Sequence, residues 1–282
     1  MLGRLFRKSQ SQTLEANRVS DSTQLLQQFK TGVFTTEESG TVQIDYLFDG
    51  TQQTGELGIF SLQGMEQLDI DSPEFIREAA QRVMNDSPLG QIAIQPQTQK
   101  AKFQGILGEK DSQPSETQNH PERTTLQMNG NDAVAFLFVP QGGIKKLLEI
   151  PDAPEFQGSN RPRLSLTPQT LADVGDGETF ALETSAQKRT YNDLVFRIKG
   201  ATPTTNLPSL DTVIDPQNDW RETRLGQAIL KDSPTSLNEA NTQSLTSTTK
   251  INLDLLLGSP QKISTEAENS VESEELSSCS KD

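Results

Sequence analysis

Cysteine and histidine are almost missing from this 282-residue chain, which has one of each, Cys279 and His120. A lone cysteine cannot close an internal disulfide, and a Cys/His zinc cluster has no ligands to draw on. Nucleophilic catalysis by a Ser/His or Cys/His pair would have to pass through that single histidine, which reads as a solvated residue of the polar segment QPSETQNHPER. Positive charge is scarce as well: 25 Lys and Arg stand against 39 Asp and Glu, for a net charge of −14. Binding a polyanion through counterion release needs the opposite sign, which argues against nucleic acid and anionic membrane surfaces as partners. Long apolar runs are lacking too. The longest, Ala133 to Val139, falls far short of the ~20 residues of a membrane helix, so no membrane span is expected. The N-terminal MLGRLFRKSQSQT is basic but has no apolar h-region, which argues against a cleaved signal peptide. A cytoplasmic location and secretion without such a peptide are equally consistent with the sequence.

With 32% apolar residues the chain has the material for one core rather than two. Three regions are expected: a flexible N-terminal segment over 1–29, one domain over 30–235, and a disordered acidic tail over 236–282. The tail is rich in Ser, Thr, Asn and Glu and has little to bury against its ordering entropy; only INLDLLL (251–257) is apolar. Within 30–235 the dominant period is two. In TVQIDYLF (41–48), Val42, Ile44, Tyr46 and Phe48 share one face, as in a half-buried strand. GELGIFSL (55–62), GQIAIQPQ (90–97), AKFQGIL (101–107), TTLQM (124–128), DAVAFLFV (132–139), RLSL (163–166), TFALET (179–184) and DLVFRIKG (193–200) complete a set of about nine strands. Turn-rich segments such as FDGTQQTG, MNGND and VGDGE separate them.

One helix is clearly signalled. Ser72 suits an N-cap, Pro73 the first helical position and Glu74 the positive helix end, and Phe75, Ile76, Ala79, Ala80, Val83 and Met84 then form an apolar stripe. ETRLGQAILKD (222–232) is a second candidate, weakened by Gly226, and GIKKLLEI before Pro151 a third. Many short strands, few helices and no strand–helix alternation point to a mainly β fold: an antiparallel β-sandwich or jelly roll with one clear packing helix and one or two minor ones.

Six segments together resemble a known family, the bacterial domain of unknown function 4114, frequent in cyanobacterial proteins. They are GELGIFSLQGME (55–66), SPEFIREAAQRV (72–83), FLFVPQG (136–142), TFALE (179–183), TYNDLVFRIKGA (190–201) and VIDPQNDWRETRLG (213–226). The resemblance implies a module of the kind found in large secreted or surface proteins, sometimes beside calcium-binding repeats. It also implies a glutamate on one strand facing an Asn-Asp that opens the next, here Glu183 with Asn192 and Asp193. Such a hairpin could aim several hard oxygens at a Ca²⁺ ion. The family's acidic loop is replaced here by TSAQKRT (184–190), whose Lys188 and Arg189 oppose a divalent cation. Replacement ligands are expected from DVGDGE, with Asp173, Asp176 and Glu178, and Asp176 joins Glu183, Asn192 and Asp193 as the candidate metal set.

The expected function is thus a non-enzymatic β-sandwich module, Ca²⁺-binding through those residues and serving adhesion or assembly at a surface with a protein or glycan partner. Two alternatives stand beside it. Glu183 and Asp193 could act as paired carboxylates on a carbohydrate substrate. The metal site could instead be lost, leaving a structural interaction domain with Lys188 and Arg189 in place of the ion. Elsewhere, Asn192-Asp193 could simply form a strand-entry turn, and Asp219, in a second acidic cluster with Asp215 and Glu222, reads as a cap for the following helix. Trp220 reads as a core anchor beside that helix. Glu56 reads either as a further oxygen ligand or as an outward-facing strand residue.

Overall fold

The computed structural model describes residues 28–51, 55–109, 114–116, 123–149, 157–185 and 187–232. His120, residues 1–27 of the expected N-terminal segment and the whole expected tail over 236–282, with Cys279 and the 251–257 segment, lie outside them. The described residues form two stacked antiparallel sheets, so the β-sandwich expected from the period-two segments is the fold. In the first sheet, β1 (Phe34–Thr36) lies between β13 (Ala201–Pro203) and β8 (Ala133–Val139), and β3 (Glu56–Ser61) and β4 (Gly90–Ile94) follow; β9 (Arg163–Leu164) pairs with the far part of β8. The second runs in the order β10 (Leu171–Asp173), β11 (Thr179–Leu182), β12 (Leu194–Lys199), β2 (Thr41–Asp49) and β7 (Arg123–Gln127). A small ribbon pairs β5 (Phe103–Gln104) with β6 (Ser115–Glu116).

Between the sheets lies an apolar core. Phe34, Leu57, Ile59, Phe136 and Phe138 of the first sheet meet Val42, Ile44, Tyr46, Phe180 and Phe196 of the second. Its rings pack edge-on, with Phe34 5.1 Å from Phe136 and 5.2 Å from Phe180, the geometry that ring quadrupoles favour. All nine expected strand segments contain strands. The structure departs from the half-buried picture in one respect, because each sheet is also covered on its outer face. Helix α1 (Pro73–Met84) covers the first sheet, with Phe75, Ala79, Ala80 and Val83 against Phe60, Leu137 and Val139. Ser72 caps it as expected, its hydroxyl accepting from the Phe75 N–H at 3.2 Å. Beside it sits the short α2 (Lys146–Glu149).

The second sheet is covered by α3 (Leu210–Val213), two single 3₁₀ turns at Pro216–Asn218 and Trp220–Glu222, and α4 (Arg224–Lys231). Leu225, Ile229 and Trp220 pack there against Phe48, Ala181 and Val195. Phe48 therefore does not share the face of Val42, Ile44 and Tyr46. Tyr46 pairs with Phe196 but Phe48 with Val195, so Leu47 is an extra residue in β2, and this irregularity turns the end of the strand outward. Gly226, a weak point for a helix by propensity, has a packing reason: a Cβ there would lie 2.0 Å from the Trp220 carbonyl oxygen.

Candidate functional site

The register that pairs Leu182 with Leu194 places Glu183 and Asp193 opposite one another, just beyond the last paired residues of β11 and β12. The structure thus brings together three of the four nominated residues, Glu183, Asn192 and Asp193. Glu183 is only 4% exposed. Its Oε1 accepts from the Ser185 N–H at 2.8 Å, and its Oε2 accepts from the N–H groups of Thr190 at 2.8 Å and Tyr191 at 3.0 Å. The Thr190 hydroxyl lies between Glu183 Oε2, at 3.0 Å, and Asn192 Oδ1, at 2.9 Å.

Backbone conformation explains this convergence. Arg189 and Tyr191 both have left-handed φ, +50° and +49°, which side chains other than glycine rarely adopt. Successive N–H groups in such a stretch form a concave nest that holds anions, and here the anion is the chain's own Glu183 carboxylate. Tyr191 is held in this conformation from its other ends. Its hydroxyl donates to the Gln169 carbonyl at 2.8 Å, and its own carbonyl accepts from Trp220 Nε1 at 3.0 Å. Burial, and then the Glu183 charge, push the Tyr191 phenol up to about 12.

Asp193 closes the hairpin from the opposite strand, its Oδ2 accepting from the N–H of Thr184 at 2.7 Å and the Thr184 hydroxyl at 2.6 Å. Burial raises its pKa, the two bonds from Thr184 act the other way, and the neighbouring Glu183 charge raises it further. Asn192 donates to the Leu107 carbonyl at 3.2 Å. The strand-entry role considered for Asn192-Asp193 is thus present in these contacts.

Asp176 does not belong to this group. Its Oδ1 accepts from the N–H groups of Glu178 at 2.9 Å and Thr179 at 2.6 Å, which fixes the turn that enters β11, whereas Glu183 lies past the strand's exit. Four strand residues at roughly 3.3 Å each separate the two ends by about 13 Å. Asp173, which accepts from the N–H groups of Gly175 and Gly177 at 2.8 and 3.2 Å, organises the same turn.

Neither cation expected beside the acids takes the place of an ion. Lys188 is exposed, and Arg189 turns away to donate through Nε to the Val213 carbonyl at 2.7 Å. The positive charge at the site comes instead from Arg163 of β9. Its Nη2 donates to the Thr184 carbonyl, and it lies within the fields of Asp193 and Glu183. Nothing in the sequence pattern signals this residue, because β9 belongs to the other sheet.

The remaining candidates resolve into structural roles. Glu56 faces outward from the first sheet, with Phe60 and Val139, but is buried at 7% exposure beneath the cover, its Oε2 accepting from the Ile144 N–H at 2.8 Å, so that it holds the turn at Gly142–Gly143. Asp219 caps the 3₁₀ turn that begins at Trp220 by accepting from the Arg221 N–H at 3.0 Å, while Thr223 caps α4 through the Gly226 N–H at 3.1 Å. Asp215 caps the preceding turn through the Gln217 N–H at 3.0 Å. Trp220 is fully buried, as a core anchor should be.

Calcium takes six to eight oxygen ligands. Here both oxygens of Glu183, one of Asp193 and the amide oxygen of Asn192 already accept protein donors, and Asp176 is at the other end of the strand. Among the described residues no three Asp, Glu, His or Cys side chains are grouped so as to hold a metal ion. As arranged, these residues do not fit a calcium ion. The chain's one Trp and two Tyr, Trp220, Tyr46 and Tyr191, are at most 1% exposed, so none of these three rings is open to a sugar. No helix among the described residues is long and apolar enough to cross a membrane. Comparison with family models, curated proteins and solved structures gives no match to the chain.

Proposed function

We propose that this domain is a non-enzymatic β-sandwich module for adhesion or assembly, in which the Glu183–Asp193 hairpin base is a structural clasp rather than an ion site or a catalytic pair. The resemblance to the domain of unknown function 4114 supports the module reading, since members of that family occur as parts of secreted and surface proteins. The observation that carries the clasp is the Glu183 carboxylate, buried and filled by three backbone N–H groups. A general acid or base needs an oxygen that can reach a substrate proton, and a calcium ligand needs one that can face the ion. Removing this carboxylate would instead leave buried N–H donors without partners, at about 1–3 kcal/mol.

The deciding experiment is thermal unfolding of the full chain in EDTA, in millimolar Ca²⁺ and in Mg²⁺, alongside Asp193→Asn and Glu183→Gln. The clasp requires no Ca²⁺-specific shift in wild-type Tm and a lowered Tm in Glu183→Gln in every buffer. A Ca²⁺-specific rise that Asp193→Asn abolishes would replace the clasp with a calcium site built on Glu183, Asn192 and Asp193, because an ion that binds only the folded chain stabilises it by mass action.

A further inference from the structure

The turn that joins β7 to β8 carries a reactive dipeptide that its own packing imposes. It reads Met128-Asn129-Gly130-Asn131-Asp132, and Asn129 is the only asparagine of the chain that glycine follows. The glycine is fixed by a close approach: a Cβ at Gly130 would lie 2.1 Å from the Glu38 carbonyl oxygen. Asn129 is exposed, and the Gly130 N–H donates to no acceptor among the described residues. A side-chain amide open to water thus stands next to a backbone nitrogen that has neither a neighbouring side chain to shield it nor a hydrogen bond to hold it.

Other asparagines lack this combination. After Asn131, the Asp132 N–H donates to the Thr36 hydroxyl at 2.9 Å, and after Asn85, the Asp86 N–H donates to the Val83 carbonyl at 3.4 Å. The Asn129 turn also ties separate elements together. Its carbonyl accepts from the Thr36 hydroxyl of β1 at 2.7 Å, and its N–H donates to the Pro88 carbonyl, just before β4, at 3.3 Å. The Asn129 side chain acts on the buried Asp132 carboxyl, opposing the rise in pKa that burial causes.

We propose that Asn129 is a site of spontaneous deamidation, at which the folded protein ages from asparagine to aspartate and isoaspartate. A solvent base takes the Gly130 amide proton, and the nitrogen attacks Asn129 Cγ. The Cγ–Nδ2 bond breaks, ammonia leaves with a proton returned by solvent, and a five-membered succinimide closes. Water then adds to one of the two ring carbonyls and opens the ring, giving an aspartate side chain or a main chain that runs through Cγ. Glycine leaves the attack unhindered and permits the backbone rotation it requires. Either product sets a new negative charge beside Asp132, and isoaspartate also lengthens the backbone by one carbon. Both changes loosen the turn. The inference is independent of the clasp, because it involves no residue of the Glu183–Asp193 hairpin.

The test is peptide mapping by mass spectrometry after the full chain has aged in warm, mildly alkaline buffer, folded and, in parallel, unfolded in guanidinium chloride. In the folded chain the mass gain of amide-to-acid conversion should appear at Asn129 before any other asparagine, as two separable products, one of them a substrate for an isoaspartyl methyltransferase. Conversion at Asn129 in the unfolded chain but not in the folded one, or earlier conversion of another asparagine in the folded chain, would overturn the proposal. Aged wild type and fresh Asn129→Asp should both melt below fresh wild type, whereas Asn129→Ser, which cannot close the ring, should gain no charge at this turn. An unchanged Tm in the first two would overturn the loosening.

Discussion

The two sheets are covered in different ways, and the contrast shows how much apolar surface a short helix lacks. On the first sheet, α1 offers three turns and an aromatic contact, Phe75 against Phe60 with ring centroids 6.1 Å apart. Apolar packing sets its position, and one side chain, Arg82, adds bonds from Nη1 to the Ser61 and Gln63 carbonyls at 2.8 and 2.7 Å. On the second sheet, α4 has only eight residues, and the cover it belongs to is fixed by polar contacts at several points. Trp220 donates to the Tyr191 carbonyl, Thr223 caps α4, and Asp232 at the helix end accepts from Lys102 Nζ at 2.6 Å and from the buried Arg197 at 3.4 Å. Through Tyr191 the same network reaches the Glu183 nest. The first cover thus relies more on apolar area, and the second adds to its smaller apolar cluster several bonds among residues far apart in sequence.

The largest effect that would sharpen this contrast is Trp220→Ala. Loss of a buried Trp costs about 3–5 kcal/mol, measured by urea unfolding. Here it also frees the Tyr191 carbonyl and the turn leading to α4, so amide exchange should accelerate in Arg224–Lys231 while α1 keeps its protection. Uniform acceleration across both helices would show that the two covers are one cooperative unit.

A smaller effect is expected on the first cover. A Cβ at Gly58 would come within 2.7 Å of both Val83 methyl carbons, so Gly58→Ala should overpack the joint between β3 and α1, at about 1–3 kcal/mol. Val83→Ala in the same chain removes those methyls, and the double variant should be more stable than the sum of the two losses predicts. Strict additivity would remove this contact as the cause.

The difference between the covers also explains what could be read in advance. The seven strands of four or more residues and α1 announce themselves through local pattern: alternation in β2, β3 and β12, and cap, proline and stripe in 72–84. Strands β1, β6, β10 and β13 have two or three residues each, too few for a period, and the extra residue at Leu47 left Phe48 on the unexpected face. The site divides in the same way. Glu183 and Asn192-Asp193 flank one hairpin, so their adjacency is legible from strand ends. Asp176 sits in the turn at the entrance of the same strand, and composition alone does not distinguish the two ends of a strand. Arg163 reaches the hairpin from the other sheet, and no local pattern encodes that meeting.

The smallest effect is a pH dependence of opposite sign on the two covers. On the second, hydrogen bonds from Arg221 hold the Asp219 carboxyl below its ordinary value, with partial burial opposing them. A depressed folded-state pKa contributes stability above the unfolded value of about 3.9, and that contribution is lost as pH falls through the folded value. Near the first cover, burial raises the pKa of Asp132, beside Arg82 of α1, and one of its oxygens is buried without a partner. This group favours the folded state when protonated, so its contribution is present below about pH 3.9 and disappears as pH rises through the raised folded value. In a series of Tm measurements from pH 7 to pH 2, Asp132→Asn should therefore remove a gain on mild acidification, and Asp219→Asn should remove a loss at the acid end. The reverse pattern would mean that polar contacts hold the first cover and packing the second.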